Sequence, residues 1–178
     1  MLPVEILISE HRVIEQMVWV LKKKQHEIVA SSKVDPNFVV AAVDFFRTYA
    51  DRYHHGKEEG ILFNALSRKK LSDADAAMMR ELIMEHAQAR KAVFSLDKLT
   101  QSYLTGQDAF DGINQSLNIL IELYPSHIEK EDKRFFYPSM QYFTAKEQAD
   151  MLEKFREYNI NFTDNRYKQI IEALEKTP

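Results

Sequence analysis

Six histidines, at positions 11, 26, 54, 55, 86 and 127, and a complete lack of cysteine set the chemistry open to this chain of 178 residues. Without thiolates there is no disulfide, iron–sulfur cluster, thiolate zinc site or cysteine nucleophile, so a bound metal must take nitrogen and oxygen donors. Two of the histidines open matching stretches, HHGKEEGILF from His54 and HIEKEDKRFF from His127. Both read His-x-x-Lys-Glu-acid-x-x-apolar-Phe, which puts Glu58 and Glu131 one helical turn beyond their histidines. A histidine and a glutamate at that spacing share one face of a helix, where both can reach one ion.

The elements that must position these residues are helices. Gly (4) and Pro (5) are too few for a turn-rich β architecture. Over residues 3–30, Leu7, His11, Ile14, Val18 and Leu21 recur at spacings of four and three, and Ser31-Ser32 marks the end. Asp35-Pro36 reads as a cap with proline at the first helical position, opening a second helix to about Arg68. Ser72-x-x-Asp75 resembles a capping box for a third helix to about Leu104, before Gly106, and a fourth covers about residues 109–141. Thr144-x-x-Glu147 opens a fifth helical segment with Leu152, Phe155, Phe162, Ile170 and Leu174 at helical spacing and a break near Asn159 to Asn165. Loops as short as those between the long helices force antiparallel neighbours. The expectation is an all-α fold: an up-down-up-down four-helix bundle over residues 1–142, with a C-terminal helical extension over 143–178 packed on the same domain.

A metal needs its donors at one level of the bundle and on inward faces, and both tests run from sequence at about 1.5 Å and 100° per residue. Counted from the helix ends, His11, His54, His86 and His127 fall at one level, whereas His26 lies about 22 Å along its helix from His11. Around His54 the helical neighbours are Val40, Val43, Ala50, Glu58, Ile61 and Ala65, a core face with Arg47 the one charged exception beside Glu58; around His55 they are Asp44, Thr48, Asp51, Arg52, Glu59 and Leu62, mostly a solvated edge. Glu131 lies about 40° from His127 and Asp132 about 140°, which favours Glu131.

Ionised glutamates in an apolar interior cost several kcal/mol each unless paired. Two ions bridged by Glu58 and Glu131, each taking two imidazoles from His11, His54, His86 and His127, satisfy every group. Such mixed nitrogen and oxygen ligation suits iron or manganese, and zinc fits the same donors. His55, Glu59 and Asp132 then read as surface groups or as groups that orient the ligands. Asp132 stays an alternative to Glu131, and His55 to His54. Tyr53, Tyr124 and Tyr137 read as packing residues near the site, and Pro125 as a kink just before His127.

With SEHRVIEQ, YHHGKEEGILF, MEHAQAR and HIEKEDKRFFYP as anchors, residues 5–140 resemble the hemerythrin-like, or HHE cation-binding, family. That resemblance implies a four-helix bundle holding two non-heme iron ions, bridged by carboxylates and by oxo or hydroxo, on His11, His54, Glu58, His86, His127 and Glu131. It also implies a small partner ligand: oxygen, nitric oxide or peroxide, met for sensing, storage or detoxification. Two departures stand out. The oxygen-carrying members have a fifth histidine where this chain has Arg90, and take their final carboxylate ligand from an aspartate at the position of Asp132, whereas the angle and the repeat favour Glu131 here. Ferritin-like di-iron proteins use Glu-x-x-His pairs, and none occurs in this sequence.

The 24 basic and 27 acidic residues are interspersed and sum to −3, which argues against nucleic acid or an anionic membrane surface. The longest apolar runs, such as Phe38 to Val43, fall far short of the roughly 18 residues of a membrane span, and the chain reads as cytoplasmic. Two rival functions remain: a di-iron oxidase or peroxidase, and an interaction module with a structural metal and a partner protein on its C-terminal helix.

Overall fold

The computed structural model describes residues 1–159 and 164–176, so Phe162 lies outside the described residues. Among the described residues there are six helices and no strand: α1 (Pro3–Ser31), α2 (36–66), α3 (Asp73–Leu104), α4 (110–139), α5 (Ala145–Asn159) and α6 (Asp164–Lys176). The capping residues explain the boundaries. Asp35 accepts from the Asn37 N–H at 3.0 Å with Pro36 first in α2, and Ser72 accepts from the Asp75 N–H at 3.1 Å. Thr144 and Glu147 form the reciprocal pair ahead of α5, the Glu147 N–H donating to Thr144 at 3.3 Å and the Thr144 N–H to Glu147 at 2.8 Å. At Ser72 the box is incomplete, because its N–H donates to the Tyr142 hydroxyl and Asp75 accepts from the Ser72 hydroxyl instead. Ser32 (φ 53°) and Gly106 (φ 84°) take the left-handed conformation that ends α1 and α3.

Two of the helices change their winding around the paired motif. In α2, Phe46–His55 and Glu58–Phe63 are π-helical, and in α4 so is Glu131–Phe135, directly after His127. Bonds from i to i+5 put more residues into each turn, a feature common at functional sites.

The four long helices pack as a ring, α1 against α4, α4 against α3, α3 against α2 and α2 against α1. Their apolar faces make two separate clusters. The larger gathers Ile14, Leu21, Phe45, Phe46, Leu96 and Leu117; the smaller gathers Leu7, Leu62, Leu82, Phe135 and Phe136. Between them, in every one of the four helices, lie the buried histidines. α5 and α6 both lie on α1 and α2, with Met151 and Phe155 of α5 buried in the smaller cluster and Tyr167 and Ile171 of α6 in the larger. Among the described residues no helix is long and apolar enough to cross a membrane.

Candidate metal centre

The six residues expected as ligands come together, and His55 joins them. α1 supplies His11, α2 His54, His55 and Glu58, α3 His86, and α4 His127 and Glu131; none is more than 3% exposed. Their donor atoms form two groups, His11 with His54, Glu58 and Glu131, and His55 with His86 and His127, each within 4.8 Å. The two glutamates reach both groups. Glu58 stands 3.1 Å from His54 Nε2 through Oε1 and 3.4 Å from His86 Nε2 through Oε2. Glu131 Oε2 stands 3.2 Å from His11 Nε2 and 3.3 Å from His127 Nε2, and its Oε1 3.7 Å from His86 Nε2.

Nearness alone does not satisfy these atoms. His11 Nε2, His54 Nε2 and all four carboxylate oxygens of Glu58 and Glu131 are buried without a hydrogen bond. Leaving such groups unpaired costs several kcal/mol apiece. Two donors held at about 2.1 Å and at right angles on one ion stand about 3 Å apart, so these separations fit a shared cation. Mixed imidazole and carboxylate donors suit a first-row divalent or trivalent metal.

Without a cation, protons take its place. Burial lowers the His54 pKa, but Glu58 and Glu10 more than offset it and raise it to about 10; His86, with Glu131, Glu59 and Glu58 around it, rises to about 9. Burial pushes the Glu131 carboxyl up, yet the imidazoles of His127, His11 and His86 hold it well below the usual carboxylate range. For His55 burial acts together with the neighbouring imidazoles of His86, His54 and His127, and its pKa falls well below that of a free imidazole.

His11, His54, His86 and His127 are each oriented from behind by a carboxylate on the neighbouring helix. His11 Nδ1 donates to Asp132 at 2.6 Å, His54 Nδ1 to Glu10 at 3.0 Å, His86 Nδ1 to Glu59 at 2.7 Å and His127 Nδ1 to Glu85 at 2.9 Å. Carboxylates in this place fix the tautomer with Nδ1 protonated and turn the Nε2 lone pair inward. His86 Nε2 and His127 Nε2 consequently face one another at 3.1 Å, an approach that needs a proton or a cation between them. Cations neutralise the carboxylates in turn. Lys57 binds Glu10, Lys130 binds Glu85, and Arg90 donates from Nη2 to Glu59 and from Nε to Asp51, both at 2.7 Å.

Of the residues read from sequence as surface or orienting groups, Glu59 bonds His86 and Asp132 bonds His11, and His26 is exposed. Sequence reasoning put His55 on a solvated edge, and there the structure differs: His55 is 1% exposed. The angle was counted at 3.6 residues per turn, whereas Phe46–His55 is π-helical, rotates less per residue and brings two successive histidines onto one face. Tyr53 and Tyr124 are buried as expected, but Tyr137 is 51% exposed and outside the core. Glu10 and Glu85 were missed as orienting groups, and Asp51 was read only as a helical neighbour of His55. The signal for both glutamates was present, since Glu10 and Glu85 each immediately precede a histidine, His11 and His86, at the same level as the site.

A cavity of about 330 Å³ opens between α2 and α3 beside His55, walled by Phe46, Val93, Phe94 and Tyr124 with the Arg90–Asp51 pair at its side.

Fold and site together define a helical protein with a buried cluster of imidazole and carboxylate donors of a kind suited to a cation. The family profile of the hemerythrin HHE cation binding domain matches residues 2–137, and the chain belongs to that family. No curated protein and no solved structure matches the chain.

Proposed function

We propose that this chain is a hemerythrin-like protein holding two iron ions on His11, His54, Glu58, His86, His127 and Glu131, within an antiparallel up-down-up-down bundle spanning residues 1–142. One observation carries the reading: imidazole nitrogens and carboxylate oxygens from four helices converge in the interior at the spacing of donors around an ion, those of His11, His54, Glu58 and Glu131 without hydrogen bonds. Iron bound there would supply redox change and positions for a small ligand. The chain supplies the rest: Glu58 and Glu131 span both donor groups, and the carboxylates behind the imidazoles hold the Nε2 lone pairs inward. The apolar clusters on either side leave the donors buried.

The partner in this reading is oxygen, nitric oxide or peroxide, bound or consumed for sensing, storage or detoxification in the cytoplasm. A small neutral molecule suits the largely apolar cavity beside His55. Residues 143–178 act as an extension of the same domain. Metal analysis of the purified protein, with its visible spectrum before and after reduction and re-exposure to air, tests the proposal. About two irons per chain with bands that vanish on reduction and return in air are expected; a metal-free protein, or one with redox-silent metal only, overturns it.

A further inference from the structure

The two motif stretches match in position, and the structure shows that they match in use. His54 and His127 point inward, Lys57 and Lys130 bind the carboxylates behind those histidines, Glu58 and Glu131 span the centre, and Glu59 and Asp132 orient His86 and His11. The second position breaks the pattern. It holds His55 in α2 and Ile128 in α4.

His55 shares the burial and the level of the other imidazoles. It is 1% exposed, its ring stacks on His86 with centroids 3.8 Å apart, and it lies 5.9 Å from the His127 ring. Its Nδ1 is buried, lacks a hydrogen bond and faces the Asp51 carboxylate at 3.5 Å, on the side where every other imidazole of the centre meets a carboxylate. Asp51 is held there by Arg90, which also holds Glu59 behind His86. One guanidinium thus holds both the carboxylate bonded to His86 and the one facing His55.

Resting on the function proposed above, we infer that His55 is a fifth imidazole ligand, so that the two cation positions are chemically unequal. One is nitrogen-rich, with His55, His86 and His127; the other has only His11 and His54 beside the same two carboxylates. Imidazole raises affinity for later first-row divalent metals more than carboxylate does, so the nitrogen-rich position fills first.

Titration of the metal-free full chain with Co²⁺ tests this. The parent should take up Co²⁺ in two steps, and at the first step three solvent-exchangeable imidazole N–H resonances should be paramagnetically shifted. Two shifted resonances at that step would overturn the inference, and this count does not depend on any variant folding. In His55→Gln, checked for parental helicity, the first step should weaken by more than about tenfold and merge with the second; His26→Gln should titrate like the parent. If the parent binds two Co²⁺ and His55→Gln is unchanged, this inference fails while the proposed centre stands. If the parent binds no Co²⁺, both fail.

Discussion

Lys57 and Lys130 stand in equivalent places on two helices. Each ammonium binds a carboxylate that itself accepts from the histidine three residues earlier, Glu10 for His54 and Glu85 for His127. The surroundings differ. Lys57 is fully buried, capped by Asn159 of α5 at 3.0 Å and set over the Tyr53 ring, whereas Lys130 keeps 16% of its side chain exposed.

Removing either lysine should therefore have unequal effects. Lys57→Met leaves the buried Glu10 without its ammonium partner and with only the His54 N–H bonded to it, and should cost about 3 kcal/mol in urea denaturation. Lys130→Met leaves Glu85 in reach of water, and should cost less than about 1 kcal/mol. Equal losses would show that burial of Lys57 does not govern the pair.

Ligand substitutions should separate the centre from the rest of the surface. His54→Ala and Glu58→Ala are each expected to lower the metal content of purified protein, while His26→Ala, exposed on α1, leaves it unchanged. Retention of the full metal complement by all three variants contradicts the assignment.

Protons and cations compete for the same nitrogens. His54 and His86, at about 10 and about 9, lie above the 6.5 of a free imidazole, because carboxylates more than offset burial. Their protonation stabilises the metal-free fold fully below pH 6.5, and that contribution is lost as pH rises through about 9 and 10. Raising pH from about 7 to about 9 should then weaken the metal-free protein in denaturant while tightening its apparent metal affinity, with protons released on uptake. Affinity that does not change with pH would contradict these shifts.

Gly56 gives a test of how α5 docks. A Cβ there would stand 2.2 Å from the Tyr158 hydroxyl, which donates to the Arg52 carbonyl at 2.7 Å. In a Tyr158→Ala background, Gly56→Ala should stabilise the protein by about 1 kcal/mol through helix propensity alone. In the parent the same change should bring no gain, since Tyr158 must move and lose its bond. A double-mutant cycle measures the difference, and additivity would refute the contact.

Helix boundaries were readable because caps are local: Asp35-Pro36, Ser72 and Thr144 act within one turn of their own position. The common level of the histidines was readable for a similar reason, since rise accumulates slowly and tolerates small errors at helix ends. Azimuth does not. One change of winding in Phe46–His55 carried His55 from an expected edge into the interior, and nothing in that stretch's composition announces π-helical bonding. The orienting carboxylates cross between helices, so Glu10 with His54 and Glu85 with His127 needed coordinates to pair.

The polar plane lies between two apolar clusters that share no residue. Each half of the interior closes on itself, so exchanging a donor within the plane leaves the scaffolding above and below it in place. Such an arrangement lets one bundle be retuned from one cation or reactivity to another by a handful of substitutions, with the architecture inherited unchanged.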